Sequence, residues 1–360
     1  MQNRITVTFF HGVGIPFSVH QLSILPFNAA DALVKVSLAT ICGSDLHTYT
    51  GLRSAPTPCI LGHEAVGQIA APTEARDAEG NRLHVGDRVT WSIMAACGRC
   101  TPCVAWNLPQ KCDHLFKYGH ARCFDLNGGF AEYICLRPGT AIYRIPEAIT
   151  DVEAVPLNCA LATVIDGLSR IESGTGENAV VLGAGLLGVY ATCVLRERGY
   201  KTVAVVDKLS SRLRVAETFG ATHTFDLSAH SEGEVGASLL DLTEGRGADL
   251  VVEVSGAPAA FSNALAWLRY GGQCLTLGYV FPHADVAFDA HQLVTKCLSV
   301  YGNHNYHPRS LGDALAFVAS VRRRYPFAEL IGASYPLRKI QTAFERSLQQ
   351  DVIRVALYPD

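Results

Sequence analysis

Asn178-Ala-Val-Val-Leu-Gly-Ala-Gly-Leu-Leu-Gly-Val-Tyr190 is the stretch on which the fold turns. It opens as an apolar β-type run. The glycines that follow stand as G-x-G-x-x-G at Gly183, Gly185 and Gly188, with Leu186 and Leu187 between, and a helical pattern continues through LLGVYATCVLRERG. Strand, glycine turn and helix in that order are what a dinucleotide-binding turn needs. One glycine makes the tight turn, one lets the backbone approach a pyrophosphate, and one allows close helix–strand packing. Free N–H groups at the helix start then face the phosphates. Asp207 ends the next β-type run, KTVAVVD, where a carboxylate accepts from ribose hydroxyls and repels a 2′-phosphate. NAD is therefore expected rather than NADP, although Lys208 and Arg212 nearby weaken the discrimination. The flanking elements weigh against the plain alternative, a glycine-rich turn that binds nothing.

Outward from this turn, short apolar runs alternate with helical patterns from about 153 to 300: KTVAVVD, SSRLRVAETFG, DLVVEVSG, FSNALAWLRYGG and QCLTLGY. Such alternation marks βαβ units on a parallel sheet, so a Rossmann-type, doubly wound α/β domain is expected over 153–300. Residues 1–152 carry short β-type runs among glycines and prolines and read as an irregular antiparallel β domain, with Pro72–Arg82 as an exposed loop. Two helical segments, about 309–324 and 337–349, and a last strand VIRVALY place 301–360 with that first region. The 360 residues are 49% hydrophobic and 18% charged with a net charge of −3, which excludes a disordered chain and makes nucleic acid or an anionic membrane an unexpected partner. No run reaches the roughly 18 apolar residues of a spanning helix, and the start MQNRITVTFFHG has no leader pattern, so the cytoplasm is the expected compartment.

Twelve cysteines are too sparse for a disulfide scaffold. Four of them, Cys97, Cys100, Cys103 and Cys112, stand as C-x2-C-x2-C-x8-C, the thiolate set of a closed structural zinc site. Buried thiols or a redox group are the alternative, but chance clustering rarely repeats the x2 spacing. Gly98 relieves crowding in this loop, and Pro102 and Pro109 restrict it. Cys193, Cys274 and Cys297 read as small core residues on a helix and two strands.

Cys42-Gly-Ser44-Asp45-Leu-His47, Gly62-His63-Glu64-Ala-Val-Gly67, Gly86-Asp-Arg-Val89, the four-cysteine lobe, the segment Ala154–Thr163 containing Cys159, and the glycine turn follow one another in an order that resembles the zinc-dependent medium-chain alcohol dehydrogenase family, over essentially the whole chain. The resemblance implies a GroES-like catalytic domain over 1–152 and 301–360 beside the Rossmann domain. It also implies a catalytic zinc held by Cys42, His63 and Cys159, with Glu64 close behind the metal and at times a ligand itself. About two zinc ions per chain are thus expected. Two thiolates, one imidazole and an open position make a Lewis-acid site for an alcohol oxygen. Asp45 is then expected to orient His63, and Ser44 to pass the proton through the cofactor ribose towards His47. Thr163 is expected near the nicotinamide, Arg354 either near the pyrophosphate or in a salt bridge on the terminal strand, and the turn Asn303-His304-Asn305-Tyr306 either near nicotinamide or substrate or as a polar surface turn.

The spacing of eight between Cys103 and Cys112 and a longer loop between Gly67 and Gly86 depart from the family pattern, without touching the catalytic ligands. Leu108-Pro-Gln-Lys-Cys112, Lys117-Tyr-Gly-His120, Gly128-Gly-Phe-Ala131, Arg137-Pro-Gly-Thr140 and His304-Asn-Tyr306 are similar to a branch of phosphonate-metabolism-associated dehydrogenases, near cyclitol and polyol dehydrogenases. The implied substrate is a small polar alcohol or its carbonyl: a cyclitol, a polyol or a hydroxyalkyl phosphonate. Lys117, His120 and Arg122 are either anion-holding groups or exposed loop charges. Trp91, Ile93 and Tyr118 are expected in the substrate pocket, and a homodimer or homotetramer is the expected assembly. A nucleotide-binding protein that keeps the fold without catalysis is the competing reading, and the intact ligand set speaks against it.

Overall fold

The computed structural model describes residues 4–23, 27–121, 126–171, 177–282 and 284–359. The chain forms two compact units, 1–162 with 307–360, and 163–306. The divisions fall at Ala162/Thr163 and Tyr306/His307 rather than at 152/153 and 300/301. The turn Leu157–Leu161, which carries Cys159, packs with the first unit, because the Asn158 side-chain amide donates to the carbonyls of His63 and Trp91, each at 3.1 Å.

In the first unit an eight-stranded sheet runs Ile331–Pro336, Arg354–Tyr358, Ala32–Thr40, Glu64–Ile69, Arg88–Ala95 and Phe116–Lys117, with Tyr133–Leu136 on the third of these and Thr140–Arg144 on the fifth. All the pairings are antiparallel except the first. A hairpin of Ile5–Phe9 and Ser18–Leu22 stands apart from this sheet. Alternation puts Val34, Val36, Ala65, Val89 and Trp91 into one core with Phe130, Phe344 and Leu357. Register then does the functional work. Thr40 pairs with Glu64, and the Ile41 N–H donates to the Val355 carbonyl at 3.0 Å, so the strand end before Cys42, the strand start after His63, and Arg354 come side by side.

The second unit is a six-stranded parallel sheet. Its order is His223–Asp226, Thr202–Asp207, Asn178–Leu182, Ala248–Glu253, Leu268–Thr276 and Ser299–Gly302, the doubly wound arrangement expected from the alternating pattern. Helices Leu186–Glu197, Ser210–Thr218, Glu232–Leu242 and Pro258–Trp267 provide crossovers. Cys193 and Cys274 are core residues as expected, but Cys297 is not: it is exposed, in a turn at φ +54°, because the chain reverses after the helix Ala290–Thr295 before entering the last strand. Among the described residues no helix is long and apolar enough to cross a membrane.

Candidate active site

Cys42 caps the helix Gly43–Tyr49 in an extended conformation, and the Asp45 carboxylate reaches back to its N–H at 2.9 Å. The cap fixes where the Cys42 thiol points. His63 stands just before the strand Glu64–Ile69, after Gly62 at φ +91°, where a side chain would run into the ring of Phe130. Cys159 comes from a π-helical turn, a departure from regular helix common at functional sites. The three elements bring ligand atoms of Cys42, His63, Glu64 and Cys159 within 4.8 Å of one another. The thiols of Cys42 and Cys159 are 4.0 Å apart, twice the length of a disulfide and close to the edge of about 3.8 Å that two sulfurs span on tetrahedral zinc.

The electrostatics of this group call for a cation. The contact with Cys159 draws the Cys42 thiol well below its ordinary pKa against the opposition of burial, with help from Arg354 and His63. Cys159 is pushed well up by that same contact, by burial and by the charge of Cys42. The buried Cys42 sulfur and the half-buried Cys159 sulfur thus compete for one proton, and a divalent ion would remove the conflict by taking both as thiolates. Burial works against the His63 imidazolium, yet Asp45 and Cys42 lift its pKa to about 10. Asp45 Oδ1 lies 3.4 Å from His63 Nδ1, so Nδ1 faces the carboxylate and leaves Nε2 to act as ligand. The donor set fits zinc: two thiols, an imidazole with a carboxylate behind it, and no fourth protein group forced into place.

Glu64 is fully buried and committed elsewhere. Its Oε2 accepts from Thr40 Oγ1 at 2.7 Å and from Arg354 Nε at 3.1 Å, and its Oε1 from Arg354 Nη2 at 3.2 Å. Burial raises its pKa to about 7 despite the arginine. Arg354 Nη2 also lies 3.7 Å from the sulfur of Cys42. The structure therefore gives Arg354 a carboxylate and a thiol as partners, both on the site. Ser44 and His47 are half-buried on the same helix as the Cys42 cap.

Cys97, Cys100, Cys103 and Cys112 converge in the lobe. Cys100 lies 3.4 Å from Cys103 and 3.7 Å from Cys112, whose sulfur accepts the N–H groups of Cys97 at 3.2 Å and His114 at 3.3 Å. The long spacing is taken up by the helical turn Thr101–Val104, Asn107 at φ +52° and the turn Pro109–Lys111. Backbone N–H of Arg99 pulls Cys97 down to about 6, while burial and the Cys100 thiol push Cys103 to about 12.

In the second unit Gly183 (φ +105°) makes the turn and Gly185 caps the helix Leu186–Glu197, with open space where its Cβ would stand. A Cβ on Gly188 would fall 1.8 Å from the Gly183 carbonyl. Leu186 is buried and Leu187 half-buried. Asp207 braces this loop: its carboxylate accepts from Ala184 N at 2.6 Å and Leu209 N at 2.9 Å. Arg212 is half-buried on the following helix, and Thr163 is buried at the opening of this unit. Asn303 bridges Arg170 at 3.2 Å and the Asn305 carbonyl at 3.0 Å, and Tyr306 is fully buried; only His304 of that turn is exposed.

Three pocket expectations are corrected. Trp91, Ile93 and Tyr118 are at most 2% exposed. Trp91 and Tyr118 lie in the core, where the Tyr118 hydroxyl is tied to Thr140 Oγ1 at 2.7 Å and Arg137 N at 2.8 Å. Trp91 and Ile93 lie on the inward face of the strand Arg88–Ala95, and Tyr118 turns inward just after the short strand Phe116–Lys117. Lys117 and His120, by contrast, are half-buried, and the His120 ring lies 5.2 Å from that of His63. Arg122 lies outside the described residues. Arg53, which sequence reading passed over, contacts His120 Nε2 at 3.4 Å. Its only sequence signal was its place shortly after the CGSDLH helix.

Comparison with known proteins agrees with this construction. A family model described as Alcohol dehydrogenase GroES-like domain matches residues 28–147, and one described as Zinc-binding dehydrogenase matches 187–320. The 5-exo-hydroxycamphor dehydrogenase of Pseudomonas putida is 32% identical over 318 residues, 87% of this chain and 88% of that protein. The sorbitol dehydrogenase of Bacillus subtilis is 28% identical over 353 residues, 95% of this chain and 94% of that one. The crystal structure of an alcohol dehydrogenase from Thermotoga maritima superposes with a TM-score of 0.94 at 27% identity, covering 99% of this chain and all of the other.

Proposed function

Because the chain belongs to the zinc-type medium-chain alcohol dehydrogenase family, we propose that it is a zinc-dependent dehydrogenase that moves a hydride between a small polar alcohol, or its carbonyl, and NAD. The observation that carries this reading is the meeting of Cys42, His63 and Cys159, with sulfurs at a spacing suited to zinc and a carboxylate behind the imidazole. Zinc supplies Lewis acidity there, lowering the pKa of a bound water from about 16 to about 7 in favourable sites and that of an alcohol in the same sense. A second zinc fits the four-cysteine lobe. The glycine turn of Gly183, Gly185 and Gly188 would receive the pyrophosphate, and Asp207 at the next strand end favours NAD over NADP. Thr163, Arg212 and Arg354 are proposed as further cofactor contacts, Arg354 from its place on Glu64. Cyclitols, polyols and hydroxyalkyl phosphonates are the substrate classes of choice, and the assembly is a homodimer or homotetramer.

The chain's own residues handle the proton. Ser44 stands two residues beyond Cys42 and His47 one helical turn further, a path along which a hydroxyl proton leaves the site. Burial lowers the His47 pKa from its ordinary 6.5, the charge of Cys42 opposes this, and Arg53 adds to it. His47 is therefore a free base at neutral pH and loses that capacity only as pH falls through its lowered value. Purified enzyme should contain about two zinc ions per chain and form NADH from members of a polar-alcohol panel. Its kcat/KM should decline on the acid side below pH 6.5. His47→Gln should cost at least about 10-fold and flatten that limb. A profile of unchanged shape in His47→Gln removes the relay, and a panel without turnover removes the dehydrogenase.

A further inference from the structure

Arg53, Lys117 and His120 gather beside the metal-ligand residues, and no role above uses them. Arg53 is anchored by its N–H on the His47 carbonyl at 3.0 Å. Lys117 comes from the short strand Phe116–Lys117, which pairs with Met94 and Ala95. His120 stacks at a tilt against His63, ring centres 5.2 Å apart. Among the described residues, no carboxylate lies within ion-pair distance of Arg53 or Lys117, although both are half-buried. Cations removed from water ordinarily have an anion beside them. The neighbouring carboxylate of Asp45 is taken by the Cys42 N–H and faces His63.

Hydrogen-bond roles follow from the chemistry of the groups. A guanidinium only donates, so the 3.4 Å contact of Arg53 Nη1 with His120 Nε2 makes Nε2 the acceptor. The ring proton then sits on Nδ1, which is buried and has no hydrogen-bond partner among the described residues. Arg53 and His120 therefore present a guanidinium and an imidazole N–H as donors, and the Lys117 ammonium lies near enough for its charge to act on both. Burial and the nearby Arg53 charge also hold the Lys117 pKa down, to about 8, against the opposing charges of Cys159 and Cys42.

We propose that Arg53, Lys117 and His120 form an anion subsite that selects alcohols carrying a phosphonate, phosphate or carboxylate close to the reacting carbon. The inference rests on the reading of Cys42, His63 and Cys159 as the holders of the reacting oxygen. The 5.2 Å between the His63 and His120 rings puts this group next to the reacting carbon. Planar Arg53 suits a pair of anionic oxygens, and Lys117 adds a point charge.

Two measurements on the zinc-loaded, full-length enzyme test this. In calorimetry with methylphosphonate as probe, binding should weaken at least ten-fold in Arg53→Gln and in Lys117→Gln, and Lys117→Arg should recover most of it. Equal binding by wild type and both glutamine variants, or none by wild type, overturns the subsite. In turnover, 2-hydroxyethylphosphonate and 3-hydroxypropionate should each exceed 1,3-propanediol in kcat/KM at least a hundred-fold, the gap shrinking ten-fold or more in either glutamine variant through KM. The two acids separate a phosphonate from a carboxylate preference. Neutral and anionic alcohols reacting alike would overturn the subsite and leave the dehydrogenase standing. Variant-sensitive methylphosphonate binding with no alcohol oxidised would keep the subsite and fell the proposed reaction.

Discussion

Cys42→Ala is expected to lower turnover at least about a thousand-fold, to halve the zinc content, and to leave NADH binding unchanged. The size follows from the barrier the metal removes. A shift of about nine pKa units is worth roughly 12 kcal/mol, of which even a third is about a thousand-fold in rate. Alanine takes away one of two sulfurs set 4.0 Å apart and removes the thiol that most strongly shifts Cys159. NADH binding survives because the glycine turn belongs to the second unit and is braced by Asp207, not by the thiols. Metal analysis, steady-state rates and NADH fluorescence titration on one preparation read all three. A variant that retains both zinc ions, or more than a tenth of the rate, would show that Cys42 is not a ligand.

The second large effect belongs to Arg354. Its guanidinium grips both oxygens of Glu64, and both side chains are buried. Removing one member of a buried ion pair costs about 3–5 kcal/mol, mainly because the other charge is stranded. Arg354→Met should therefore lower the urea-unfolding free energy of the first unit by that amount. Glu64→Gln combined with Arg354→Met should restore most of it, since neither charge is then left alone. Zinc affinity should also fall by about 10–100-fold in Arg354→Met, as happens when groups behind metal ligands are lost. An unchanged unfolding midpoint in the single variant, or a double variant no better than it, would mean that the pair does not hold the site.

The sequence reads most clearly where one short segment contains the whole constraint. The glycine turn is legible because Gly183, Gly185 and Gly188 serve steric needs within six residues, and Gly188 indeed sits where a Cβ would strike the Gly183 carbonyl. The zinc lobe is legible for the same reason, its ligands being spaced by short loops. The catalytic ligands are farther apart and rest on the resemblance to a family. What places them is register, with Thr40 opposite Glu64 and Asn158 tying the Cys159 turn to His63. Strand facing defeats the pocket assignment of Trp91, and the turn after Phe116–Lys117 that of Tyr118, because a residue near the right element can still point into the core. Arg53 escapes notice because its meaning comes from His120, sixty-seven residues away in sequence and 3.4 Å away in space. Cys297 misleads in the opposite sense, since an apolar neighbourhood in sequence conceals a left-handed turn at the surface.

An anomalous-difference map from crystals of the zinc-loaded enzyme, recorded at the zinc absorption edge, tests the central claim most directly. The account predicts two peaks per chain, one inside the four-cysteine lobe. The other should lie about 2.3 Å from the sulfurs of Cys42 and Cys159 and about 2.1 Å from an imidazole nitrogen of His63. A single peak confined to the lobe, with Cys42, His63 and Cys159 turned away from one another, would contradict it.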